Sequence, residues 1–321
     1  MHASLARQLS HTLRETHLPS LGAPYQGKVR DVYELAGGRL LIVATDRLSA
    51  FDRILTTLPF KGELLSRLAV FWFEKTRDVF ANHLLDVPDP NAMVCSACRP
   101  LPVEVVVRGY AAGSLWRDHV AGRAEAAYGI RLPSSLKKDE KLPAPIVTPS
   151  TKAPKGEHDL PISEAEILAR GLVGRKVWEE VTEAARALFS AGAAWAAARG
   201  LILVDTKYEF GLAGGRLLLI DEIHTPDSSR FWEAEGYERR FAAGEEQRML
   251  DKENLRQWLL ARGFSGHGDP PEIPDEVRVD LASKYVAAFE RITGGAFEAS
   301  PGDPVPRIER NLRARGIFGK G

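Results

Sequence analysis

LILVDTKYEFGLAGGRLLLIDEIH, residues 201–224, is the stretch on which the reading of this chain turns. Two apolar runs flank Gly214-Gly215, the pattern of a β-hairpin closed by a two-glycine turn. Along the first run (201–210) Asp205, Lys207 and Glu209 alternate, and residues two apart in a strand share a face. Leu203 and the aromatics Tyr208 and Phe210 fall between or beyond them. Three ionisable groups on one face of an otherwise apolar strand are costly unless that face lines a polar cleft. The returning run (216–224) delivers Asp221 and Glu222 near its end. A turn centred on Gly214 sets Asp221 near Lys207 and within a residue or two of Glu209, a register that a one-residue slip would overturn. Two carboxylates and a lysine beside an apolar wall suit a magnesium triphosphate, since hard Mg²⁺ takes a few carboxylate oxygens and completes its shell with phosphate and water. A salt-bridged strand face is the alternative.

Upstream, PVEVVVR (102–108) predicts a β-branched strand, a wall for adenine with backbone groups at Val103, Glu104 and Val105 reading its edge. Arg108 leaves that strand just before GYAAGS, where Gly113 frees backbone room and Ser114 caps the next helix. An arginine beside a helix N-terminus makes an anion pocket. DSSR (227–230) repeats that chemistry with Ser229 and Arg230. Two phosphate-scale pockets imply a bisubstrate reaction, and no Ser–His–Asp arrangement for hydrolysis accompanies them.

Nearer the N-terminus, GKVRD (27–31) places Lys28 and Arg30 on one strand face beside Gly27, which suits a polyphosphate. It is neither a Walker A loop nor G-x-G-x-x-G, and a solvated strand edge is the competing reading. Strands at 27–35 and 39–45 join at Gly37-Gly38. Residues 1–19 read as a short amphipathic helix with Leu5, Leu9 and Leu13 at four-residue steps, 61–77 as a buried helix, and 142–161 as a Pro-rich loop too long for a simple connector. Ser163 and Glu166 form a capping box. Helices follow at 175–199, stopping at Gly200, and near 252–262 and 275–292. Hairpin and sheet first, then helices and a second sheet, predict an α+β protein with two β-rich lobes around a cleft.

Composition narrows the class. Lys+Arg and Asp+Glu balance at 43 each among 321 residues, against the basic excess of a dedicated nucleic-acid binder. No run approaches the roughly 18 apolar residues of a membrane span, and the N-terminus lacks the pattern of a signal peptide, so neither nucleic acid nor membrane is an expected partner and a cytoplasmic location is expected. Cys95 and Cys98 form a C-x-x-C without the further ligands zinc requires, and read as inert.

These segments together resemble the phosphoribosylaminoimidazole-succinocarboxamide synthase (SAICAR synthetase) family. LVDTKYEFG (203–211) and LPVEVVVRGY (101–110), continuing to Gly113-Ser114, are similar to its diagnostic motifs. GKVRD, TDRLSAFD (45–52), TPSTKAPKGEHD (148–159), DEIHTPDSSRFW (221–232) and DKENLRQWL (251–259) follow in the family's order. The resemblance implies an ATP-grasp-like α+β fold, a small N-terminal β lobe (1–110) over a larger α+β lobe (111–321) with a central ATP cleft. It implies ligation of L-aspartate to carboxyaminoimidazole ribotide with ATP and Mg²⁺, giving the succinocarboxamide, ADP and phosphate. By motif position Lys28 and Arg30 hold ATP phosphates, Glu209 and Asp221 hold Mg²⁺, and Arg108, Ser114, Ser229 and Arg230 bind the ribotide, chiefly its 5′-phosphate. Lys207 then sits between nucleotide and carboxylate, and Ser49 and Asp52 border the imidazole or the metal. Lys152, His158 and Asp159 lie on a loop closing over aspartate, and Asp205 and Asp159 are candidate bases for its amine. Arg30 stands where the family often has lysine, and 82–100 matches no family motif. A small-molecule kinase and a non-catalytic nucleotide-binding relative are the competing functions; no H-R-D-x-x-x-x-N loop supports the first, and Lys207, Glu209 and Asp221 are all present against the second.

Overall fold

The computed structural model describes residues 2–51, 53–152, 159–250 and 253–318. The chain opens with α1 (His2–Gln8), the strands β1 (Tyr25–Gln26), β2 (Arg30–Leu35) and β3 (Arg39–Ala44), the short pair β4 (Arg47–Ala50) and β5 (Arg53–Thr57), and α2 (Lys61–Lys75). Next come β6 (Leu84–Asp89), β7 (Ala92–Ser96), β8 (Arg99–Tyr110), α3 (Gly113–Val120), α4 (Ala124–Tyr128), β9 (Lys141–Thr151), α5 (Glu164–Ala169) and α6 (Arg175–Ala197). The rest carries β10 (Leu201–Ala213), β11 (Arg216–Ile220), β12 (Ser229–Glu233), α7 (Tyr237–Ala243), α8 (Glu253–Leu260), α9 (Asp275–Thr293) and α10 (Pro304–Ala314).

Contacts divide the chain into two compact units, Met1–Phe73 with His83–Ala97 and Asp251–Gly321, and Glu74–Asn82 with Cys98–Leu250. The division differs from the expected 1–110 and 111–321. β8 pairs with β10 and so joins the second unit, while the C-terminal helices return to the first.

In the first unit β1, β2, β3, β7 and β6 form an antiparallel sheet in that order. The β2–β3 turn holds Gly37 at φ 76 and Gly38 at φ 66, the left-handed region that explains the two glycines. Tyr33, Leu41 and Val43 bury their side chains with Leu13, Leu18, Ala92, Val94, Ile308 and Leu312. Two expectations need correction. Residues 27–29 are a turn, closed by the Gly27 N–H donating to the Arg30 carbonyl at 2.8 Å, and the strand begins only at Arg30. The N-terminal helix ends at Gln8, followed by a single 3₁₀ turn, because the Leu13 N–H is drawn to Asp46 at 2.7 Å.

In the second unit the order is β11-β10-β8-β9, with β12 also pairing β10. Gly214 (φ 55) and Gly215 (φ 83) make the expected tip between Ala213 and Arg216. The Ser163–Glu166 capping box is present, and α6 lays Trp178, Val181, Leu188 and Phe189 inward. The Pro-rich segment is not a loop from 142 onward: β9 runs to Thr151 along β8, Val103 opposite Thr151 and Arg108 opposite Ile146. Its prolines are tolerated because β9 lies at the sheet edge, where one side of the backbone need not donate. No described helix is long and apolar enough to cross a membrane.

Candidate active site

β10 carries the site of the second unit. Its register sets Glu209 opposite Ile220 on β11, which leaves Asp221 one residue beyond, with φ 69 as the chain turns away. On its other side Glu209 faces Glu104, and Asp205 faces Arg108, on β8. Two carboxylates directly across a ladder repel. Lys207, two residues before Glu209, offsets this: its Nζ lies 2.7 Å from Glu104 Oε1 and 3.1 Å from Glu209 Oε1. Lys152, just past β9, pairs with the other oxygen of Glu209. The result is a chain of alternating charge, Glu104–Lys207–Glu209–Lys152.

The protonation states follow from these contacts. Burial pushes the Glu104 carboxyl up to about 7, Lys207 drawing it down and Glu209 pushing it further up. Burial acts the same way on Glu209, but Lys207 and Lys152 together outweigh it and hold that carboxyl at about 2. Burial opposes the charge of Lys207, yet Glu209, Glu104 and Asp221 prevail and keep the ammonium above its ordinary range. Lys152 is raised as well, burial again being overcome by Glu209.

Four residues back on the strand lies a second cluster. Asp205 Oδ2 accepts from Arg108 Nη1 at 3.2 Å and from Arg230 Nη1 at 2.9 Å. Arg108 also donates to Thr148 Oγ1 at 2.7 Å and to Ser114 Oγ at 2.8 Å. Gly113 (φ 58) is needed here, because a Cβ would lie 1.9 Å from Arg230 Nη1. Arg108, Ser114 and Arg230 are thus brought together as expected. Ser229 is not with them: strand alternation turns its hydroxyl to Thr206 Oγ1, 2.7 Å away. Asp205, with both guanidinium groups on one carboxylate oxygen, orients the two arginines.

The expected adenine contacts at Val103–Val105 do not fit. Val105 lies between Tyr208 of β10 and Pro149 of β9, and Glu104 between Glu209 and Ser150, so this backbone is committed to its neighbouring strands. Val103 and Val105 are buried core, and what the stretch presents is the Glu104 side chain. In the first unit, Gly27 and Lys28 lie in the turn described above and Arg30 opens β2, all held by a residue that no motif singled out. Arg47, buried, donates to the carbonyls of Arg14 (2.6 Å), Gly27 (3.0 Å), Lys28 (3.1 Å) and Arg30 (3.1 Å) and to Asp31 Oδ1 (2.8 Å). Its motif, TDRLSAFD, was the only available signal. Ser49 lies on β4, half-buried, in that unit. Asp52 and His158 lie outside the described residues. Asp159 is exposed, and its charge acts on Glu104.

The donor set fits a hard divalent cation. Among the described residues no three His, Cys, Asp or Glu side chains form a ready-made cage, but magnesium commonly takes one or two carboxylates and fills its shell with phosphate and water. Glu209, whose carboxyl is held down, and Asp221, one residue past its strand partner, are the two carboxylates this arrangement could offer a cation.

Comparison with known proteins gives one answer. The family model for SAICAR synthetase matches residues 23–270. A putative phosphoribosylaminoimidazole-succinocarboxamide synthase 2 of Mesorhizobium japonicum is 50% identical over 309 residues, covering 94% of this chain and 98% of its own. A phosphoribosylaminoimidazole-succinocarboxamide synthase of Legionella pneumophila is 47% identical over 314 residues, with 94% and 97% covered. Among solved structures, a SAICAR synthase from Saccharomyces cerevisiae complexed with SAICAR superposes with a TM-score of 0.77 at 35% identity, covering 90% of this chain and 100% of that one.

Proposed function

This chain belongs to the SAICAR synthetase family, and we propose from that premise how its residues ligate L-aspartate to carboxyaminoimidazole ribotide with ATP. The observation that carries the proposal is that one strand presents two charge clusters, one of arginines on Asp205 and one of lysines on Glu209. Asp205, with its two arginines, and Glu209, with its two lysines, are four residues apart on β10, about 13 Å at the strand rise. In this reading the ribotide phosphate rests on Arg108, Ser114 and Arg230, and its carboxylate reaches toward Lys207. Bidentate guanidinium contacts favour phosphate at the first end.

A carboxylate is a poor electrophile, and its oxygen a poor leaving group at neutral pH. Transfer of the γ-phosphoryl group of ATP to a carboxylate oxygen gives an acyl phosphate and ADP. The aspartate amine then attacks the acyl carbon, the C–O bond to phosphate breaks, and the amine loses its proton. Positioning and charge neutralisation dominate such a transfer. Lys207 holds its ammonium beside the carboxylate being activated, fixed by Glu104 and Glu209. By motif position Lys28 and Arg30, beside the turn braced by Arg47, are assigned to the ATP phosphates. Glu209 and Asp221 would hold magnesium, which when bound supplies positive charge to the phosphates. Lys152 takes a carboxylate of aspartate. With Asp205 committed to the arginines, Asp159 is the candidate acceptor for the amine proton.

The test is phosphate release by the purified protein given ATP, Mg²⁺ and the carboxylated ribotide, with and without aspartate. Release that depends strictly on aspartate is expected. ADP formation unaffected by its omission would identify a kinase instead.

A further inference from the structure

We propose that Glu104 is the positioning residue for Lys207, the anchor that keeps its ammonium in place during the reaction. The inference rests on the role given to Lys207 above. Lys207 has two carboxylate partners, at 2.7 Å (Glu104) and 3.1 Å (Glu209). They are not equivalent. Glu209 already shares its oxygens between Lys207 and Lys152, and it is the carboxylate offered to a cation. Anything that draws on Glu209 loosens its hold on both lysines. Glu104 is buried, 7% exposed, with Val103 and Val105 on either side in the core, and its strand is laddered on both flanks. Glu209 is buried alike, on a strand laddered on both flanks, so what separates the two carboxylates is the second lysine that Glu209 carries. Lys207 has a flexible four-carbon stem and three donors, so without a fixed partner it samples many positions. A single rigid carboxylate converts that freedom into one location for Nζ. The energetic logic is pre-organisation: an ammonium already placed needs no reordering when charge develops on the activated carboxylate.

Three readouts test this together. Glu104→Ala should lower kcat about 10²-fold while KM for ATP and aspartate changes less than about threefold, and Glu104→Gln, which keeps an acceptor oxygen, should recover about tenfold of that loss. In a double-mutant cycle, adding Glu104→Ala to Lys207→Ala should cost less than about threefold further, since the anchor has nothing left to hold. Third, acylation of Lys207 by an amine-reactive ester at fixed pH, followed by peptide mass spectrometry, should run about tenfold faster in Glu104→Ala than in the unaltered protein. Circular dichroism confirms folding of each variant, with Glu104→Gln standing in should the alanine variant fail to fold. Additive losses in the cycle would overturn the proposal, as would an unchanged labelling rate at Lys207. Labelling needs no substrate, so it judges Glu104 whatever reaction the protein performs, whereas aspartate dependence of the unaltered protein judges the functional reading alone.

Discussion

Arg47 shows how much of a turn can hang on one buried side chain. Its guanidinium gathers four backbone carbonyls and Asp31, a carboxylate that also accepts from the Thr16 amide at 2.7 Å and hydroxyl at 2.8 Å. Arg47→Ala would leave these acceptors buried without their donor, at a cost of about 3–5 kcal/mol, read from the shift in urea midpoint; Arg47→Lys recovers little, because an ammonium cannot span the same acceptors. At the other end of the proposed reaction, Lys207→Ala should lower turnover by about 10²–10⁴-fold with a modest change in ribotide binding. Steady-state kinetics beside calorimetric titration of the ribotide separate the two, and unchanged turnover would contradict the assignment. Gly113→Ala makes a complementary case. The new methyl group would occupy the place of Arg230 Nη1 and require φ 58 of an alanine. Displacing that arginine by an ångström should raise KM for the ribotide by about 10–100-fold, with KM for ATP little changed.

Strands decide which of these residues meet, and one of them sets a pH limit. Four residues beyond β11 lies His224, fully buried at φ 49, its Nε2 2.6 Å from the Tyr208 hydroxyl and its ring filling the space that any Cβ at Gly192 would need. Burial pushes the imidazole down to about 3, so it is neutral in the folded protein. Above its ordinary value near 6.5 it makes stability no function of pH. Below that, the unfolded chain takes up a proton that the folded one refuses, and stability falls by up to about 1.4 kcal/mol per pH unit. Urea midpoints at pH 7, 6 and 5 should show this decline, and His224→Gln, less stable overall, should flatten it between pH 6.5 and 5. Equal slopes for the two proteins would refute the claim. The hairpin itself was legible, because alternation and the Gly214-Gly215 turn are local properties of the sequence. β9 was not: whether Pro143, Pro145 and Pro149 interrupt a strand depends on whether that strand is an edge, and the edge is set by tertiary pairing. Glu104 was hidden for a similar reason. Its partner lies 103 positions away, and nothing in VEVVV distinguishes a carboxylate that anchors a lysine from one that merely meets solvent.

At the scale of the whole chain, the first unit is closed by its far end. Gln8 and Gly302, 294 positions apart, exchange hydrogen bonds at 2.8 and 3.0 Å. α10 then sets Ile308 and Leu312 into the cluster built by Leu13, Leu18, Tyr33, Leu41 and Val43. Arg307 and Asn311 bond the buried Asp89 at 3.1 and 2.7 Å. A division at residue 110 missed this, since closure over such a separation leaves no periodic mark and costs only a slowly growing loop entropy. Removing residues 303–321 would strip about 1.5–3 kcal/mol for each of the two aliphatic side chains and leave Asp89 buried without its guanidinium, a further cost of about 3–5 kcal/mol. The sum is comparable with the whole stability of an ordinary domain, about 5–15 kcal/mol. The truncated chain should therefore lose hydrogen-exchange protection across β2 and β3 by about 10³-fold or more, although the deletion begins more than 250 positions beyond them. The single change Arg307→Ala gives a graded version, with protection in β6 and β7 falling before that in β2, because Asp89 ends β6 and pairs with Ala92 on β7. Protection in β2 and β3 that survives the truncation would mean that the N-terminal sheet completes its core without α10.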